Sequence, residues 1–216
     1  MSKIFPKSAN ALPLQIVIFL LVLGGVAAAG ITYYATPAYL RVGYEPVQPV
    51  PFQHSLHAGQ LGIDCRYCHA SVETSAFAGL PSTATCLSCH SQIFTSTTML
   101  QPVIASAAQN VPLQWSRVTQ LPDHVYFNHG IHVSKGVGCT TCHGEVGEMA
   151  LTAKGEPLTM RWCLDCHRDP APRIRPPSEI FAALSPPARP RAQQEELVGD
   201  YHLHTENLTN CSTCHH

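Results

Sequence analysis

All ten cysteines of the chain fall in five copies of one string, Cys-Xaa-Xaa-Cys-His, at Cys65–His69, Cys86–His90, Cys139–His143, Cys163–His167 and Cys211–His215. Residue type and spacing point to one chemistry. Two cysteines three positions apart reach the two vinyl groups of one haem and bond to them as thioethers. The histidine that follows then lies under the iron and supplies one axial nitrogen. The thioether residues are Cys65, Cys68, Cys86, Cys89, Cys139, Cys142, Cys163, Cys166, Cys211 and Cys214, and the proximal ligands are His69, His90, His143, His167 and His215. Disulfides, a zinc site or a thioredoxin-like redox pair would draw on the same cysteines. None of them requires a histidine directly after every pair. Five covalently bound haem c groups are therefore expected.

The chain has 13 histidines, so eight remain for the opposite axial positions. A repeat indicates which. Phe52-Gln53-His54 and His57 precede Cys65, Phe127-Asn128-His129 and His132 precede Cys139, and a shortened Tyr201-His202 with His204 precedes Cys211. The first cysteines of these copies are 74 and 72 residues apart, a near-constant period that signals internal duplication. His54 and His129 are expected to serve the haem that follows each. His57 and His132, three residues further on, face another direction if the stretch is helical and suit the second and fourth haems. The fifth distal ligand is expected from His204, His202 or Met149, with His204 standing seven residues before Cys211 as His132 stands before Cys139. A methionine is also an alternative at the fourth haem, where Met149 has more reach than Met160. His124 and His216 fall outside the repeat and are not counted as ligands.

The elements that must position these residues follow from the same repeat. Two di-haem modules, 52–126 and 127–191, precede a single-haem half module, 192–216. The 18 prolines suit a mostly irregular chain with short α-helices and a core dominated by haem rather than by side chains. Helices are expected over Thr97–Gln109, with Trp115 as an anchor after it, and around Ala192–Val198. The Pro- and Arg-rich segment Arg168–Arg191 reads either as a solvated linker or as an arm over a partner subunit, its arginines reaching propionates or acidic groups.

Residues 1–35 form an anchor. Leu14–Tyr34 is almost wholly apolar and about as long as a membrane-spanning helix. A cleaved signal peptide ending at Ala27-Ala28-Ala29 is the rival reading, against which the length of the run argues. Lys3 and Lys7 precede the span, which places the N-terminus in the cytoplasm and the haem domain on the periplasmic side, with Tyr33, Tyr34 and Tyr39 at the far interface. A proline-rich linker, 36–51, follows. Charged residues make up 12% of the chain, with no basic run, which excludes a nucleic-acid track.

Three stretches, PFQHSLHAGQLGIDCRYCH, LPDHVYFNHGIHVSKGVGCTTCHG and PLTMRWCLDCHRDP, resemble the membrane-anchored pentahaem cytochrome c subunit of bacterial alternative complex III. The resemblance implies a chain that carries electrons and has no quinol site of its own. It also implies integral membrane quinol-binding partners, an iron–sulfur subunit and a mono-haem cytochrome c subunit. The acceptor would be a soluble cytochrome c, a blue copper protein or a terminal oxidase. The whole reads as an electron-transfer subunit without catalytic residues. Its rivals are a multihaem reductase with one open iron site, and a membrane-anchored multihaem quinol dehydrogenase feeding a periplasmic reductase.

Overall fold

The computed structural model describes residues 7–36 and 40–215. It divides into two units, Met1–Val42 and Gly43–His216. Lys3, Tyr39 and His216 lie outside the described residues.

In the first unit, helix α1 spans Leu12–Ala35, with Pro13 in its first turn, where the missing N–H costs nothing. It ends at Thr36, whose hydroxyl donates to the Tyr33 carbonyl at 3.1 Å. Its 24 residues carry no charge and none is buried. At 1.5 Å per residue it is about 36 Å long, enough for a hydrocarbon core of about 30 Å. Length and composition therefore make α1 a candidate membrane span.

The second unit is built from short helices joined by irregular chain. In order these are α2 (Cys65–Cys68), α3 (Thr83–His90), α4 (Gln101–Gln109), α5 (His129–Ser134), α6 (Thr140–His143), α7 (Met160–Arg168), α8 (Arg191–Asp200) and α9 (Cys211–Cys214), with a π-helical turn at Ser55–Gln60. The helix expected over Thr97–Gln109 forms as a 3-10 turn at Thr98–Leu100 leading into α4. That expected around Ala192–Val198 forms as α8. No strand occurs among the described residues, but two isolated antiparallel bridges do, Val125 with His215 and Val137 with Ile174.

The apolar core is thin. Val72, Val133 and Ile180 form its cluster, with Ala78 and Phe181 packed against it. Val103, 1% exposed, is the most deeply buried large side chain. Meanwhile Leu61, Tyr67, Phe77, Leu80, Phe94 and Tyr126, all near Cys-Xaa-Xaa-Cys-His strings, are exposed. A unit of this size ordinarily buries far more apolar side chain.

The Pro- and Arg-rich segment is not a free linker, because it folds back on its own chain. Arg175 donates its backbone N–H to the Gly136 carbonyl (2.7 Å), Cys139 donates to Ile180 (3.0 Å), and Gly147 to Ala183 (2.8 Å). Glu179 pairs with Arg189, and Asp169 with Arg191 at 2.8 Å. The physical reason is that its prolines deny it a helix while its free carbonyls accept from the backbone beside the third string.

Candidate functional site

Local hydrogen bonds explain why each string folds as it does. The Asp64 carboxylate accepts from Arg66 N–H at the start of α2, Ser82 Oγ from Thr85 N–H at α3, and Thr159 Oγ1 from Trp162 N–H at α7. A side-chain cap relieves the unpaired N–H groups of a first turn. One helical turn then sets the two cysteines on a common side. In the first, third and fifth strings the histidine N–H donates to the carbonyl of the string's own first cysteine, at 2.9, 3.0 and 2.9 Å. All ten thiols are free. Among the described residues no group of three His, Cys, Asp or Glu side chains gathers as a chelating cluster.

The strings neighbour one another. The Cys65 and Cys139 thiols share a hydrogen bond, and that bond first, then burial, holds Cys139 protonated. Burial pushes the Cys142 thiol up to about 12, with Cys166 and Cys163 adding to the rise. Burial likewise raises Cys68, next to Cys86.

The histidines are arranged in facing pairs. The ring centres of His57 and His90 lie 6.2 Å apart, those of His129 and His143 6.3 Å, and those of His132 and His167 6.1 Å. These separations exceed a stacking contact. They match what two imidazoles give when each binds a shared metal at about 2 Å, a ring-centre spacing of about 6 Å. His54 lies near His69, and burial first, then His69 and His57, lower its pKa to about 4. His143 is lowered to about 4 by burial, then by His129, His69 and His54. Burial also lowers His132. A neutral imidazole is the form that coordinates iron.

The ring nitrogens are also assigned. Nδ1–H donates to a backbone carbonyl in His57 (Gln53, 2.9 Å), His69 (Gly79, 2.8 Å), His90 (Ile93, 3.3 Å), His129 (Ala76, 2.8 Å), His132 (Asn128, 2.7 Å) and His167 (Leu208, 2.8 Å). His54 Nδ1 hydrogen-bonds with Thr152 Oγ1 at 3.0 Å. Such a bond fixes the tautomer and leaves Nε2 as the free acceptor.

The sequence repeat is also a repeat in space. Phe52 meets His54 edge-on (4.9 Å, 85°) and His57 face-on (4.4 Å, 28°), while Phe127 meets His129 (4.8 Å, 87°) and His132 (4.6 Å, 28°) in the same way. His57 stands eight residues before Cys65, whereas His132 stands seven before Cys139. The wider π-helical turn Ser55–Gln60 falls where the extra residue has to be absorbed.

The structure sets another ring beside the histidine of the fifth string. Among the described residues the ring against His215 is that of His124, 5.6 Å away at 21°. His202 has a left-handed backbone (φ 48°). The Met149 methyl lies beside Gly144, and its carbonyl accepts from Ser55 N–H at 3.0 Å. Sequence reasoning passed over His124 because no periodic offset marks it.

The residues fit haem. Beyond the free thiol pairs and facing imidazoles, buried donors lack an acceptor, namely Trp115 Nε1, Arg175 Nε and Arg189 Nη1. A flat apolar group with acidic edge substituents would use such donors and cover the exposed apolar side chains.

Comparison with known proteins agrees with this chemistry. Residues 125–216 match the family described as cytochrome c7 and related cytochrome c. Over 193 residues the chain is 30% identical to the multiheme cytochrome c subunit of menaquinone reductase from Nitratidesulfovibrio vulgaris, covering 89% of this chain and 78% of that protein.

Proposed function

Because the chain belongs to the multihaem cytochrome c family, we propose that it is the membrane-anchored, electron-carrying subunit of a quinone-linked oxidoreductase, with five covalent haems. The bound haems would supply one-electron chemistry, iron passing between the ferric and ferrous states. The chain's own residues hold and cap them. The ten cysteines form the thioethers, and His69, His90, His143, His167 and His215 bind from the proximal side. His54, His57, His129 and His132 bind from the distal side of the first, second, third and fourth haems in turn. With both faces of these four haems capped by imidazole, none of the four leaves a position for a substrate, which supports a carrier that makes no bonds of its own. The observation that carries this reading is the set of facing histidine rings 6.1 to 6.3 Å apart.

Helix α1 is the anchor, with its N-terminus cytoplasmic and the haem unit periplasmic. The partners are integral quinol-binding subunits with iron–sulfur and mono-haem cytochrome subunits, as in alternative complex III. Electrons then leave toward a soluble cytochrome c, a blue copper protein or a terminal oxidase. The name of the similar protein from Nitratidesulfovibrio vulgaris favours a second reading, in which electrons run toward menaquinone. The complex purified from membranes through a tag on this chain decides between them. Under the first reading menaquinol reduces the haems and an added acceptor reoxidises them. If only a reduced periplasmic cytochrome fills the haems and menaquinone empties them, the second holds. Failure of any membrane subunit to co-purify sinks both.

A further inference from the structure

We propose that His124 is the second axial ligand of the haem held by Cys211 and Cys214, an assignment that rests on the haem reading above and completes it. The ring centres of His124 and His215 lie 5.6 Å apart and their planes differ by 21°. That spacing is about 0.5 Å less than that of the closest of the other facing pairs. The approach is built by the backbone. Val125 pairs with His215 in an antiparallel bridge, and Tyr126 N–H donates to the Cys214 carbonyl at 2.7 Å. His215 Nδ1–H is directed to the carbonyl of His124 itself at 3.3 Å, which leaves His215 Nε2 for the iron. The residue that offers its ring thus also orients the proximal ligand. Pro122 accepts from Val125 N–H at 3.0 Å and holds the turn that carries His124.

The chain around two of the competing residues is held by other contacts. The carbonyl of Tyr201, next to His202, accepts from Lys135 Nζ at 2.9 Å, and the Tyr201 ring lies against Gly136. Met149 is held between Gly144 and the π-helical turn. The last haem is therefore closed by a residue 87 positions before its first cysteine. The C-terminal segment is thereby fastened to the end of the first module.

The test uses the full chain in its membrane complex. Pyridine haemochrome on the unsubstituted protein must give five haems per chain; any lower count defeats the haem reading itself, separately from this assignment. His124→Gly should keep five haems and show a high-spin ferric signal for about one haem in five. It should bind carbon monoxide at one ferrous site and return to low spin when imidazole is added. His202→Gly, His204→Gly and Met149→Leu should leave the spin state unchanged. An all-low-spin His124→Gly protein, or a high-spin signal from one of the three controls, overturns the assignment. Should His124→Gly fail to accumulate, His124→Met decides. One midpoint rises if His124 is the ligand, and if none moves the proposal is wrong.

Discussion

Histidine in this chain works with both ring nitrogens. Nδ1 is committed to a carbonyl, as between His132 and Asn128 at 2.7 Å, so Nε2 is left as the free acceptor. A ligand exchange at such a position should change the iron's electronic state without disturbing attachment. His57→Met and His132→Met are each expected to retain every thioether and to raise one midpoint by on the order of 0.1 V, within the roughly 0.8 V that axial ligands command; redox titration checks this. Glycine matters at the same scale. A Cβ at Gly155 would run into the carbonyl of His143 and lie 2.7 Å from Gly144 N. Gly155→Ala should therefore displace a proximal ligand's backbone and cost about 1–3 kcal/mol, seen as a lowered unfolding midpoint with an altered spectrum for one haem.

At the scale of elements, the helices are too short to stand by propensity. Those bearing the first, second and fourth strings depend on side-chain caps from Asp64, Ser82 and Thr159. Thr159→Ala removes one cap from α7, for a loss of about 1 kcal/mol. In thermal unfolding that is a fall of roughly 2–4 °C, and Thr159→Ser should recover most of it. The π-helical turn Ser55–Gln60 makes a related point. The first module carries one more residue than the second between distal histidine and cysteine, yet Phe52 meets His57 at 4.4 Å much as Phe127 meets His132 at 4.6 Å. A widened turn absorbs the extra residue and preserves the ligand geometry.

In the whole molecule the repeats interlock. The distal His129 of the second copy is held by the Ala76 carbonyl of the first, and His54 of the first by Thr152 of the second. His167 is held by Leu208 of the C-terminal segment. Each copy thus draws hydrogen-bond partners for its histidines from another. Ending the chain after Asp200 should therefore do more than remove the last haem. It takes away the acceptor of His167 Nδ1, and haemochrome should give four haems while a second midpoint shifts as well. Thr152→Val should likewise move a potential belonging to the first string, although the residue lies 87 positions after Cys65. Electron paramagnetic resonance and titration of the full complex would detect both.

The sequence by itself determined the chemistry, because thioether attachment needs two thiols and an imidazole within five consecutive residues, and local spacing records that completely. It determined the duplication, and from it the offsets of His54, His57, His129 and His132, because a copied segment keeps its own register. It also marked α1 by a long uncharged run. Only the tertiary structure brought a second ring to the last string. His124 reaches His215 through a backbone bridge between segments distant in sequence, and a pairing of that kind leaves no period to read. The fold-back of the Pro- and Arg-rich segment was hidden for the same reason. Its carbonyls find N–H groups at Gly147 and beside the third string through closure of the chain, which the composition of the segment does not encode.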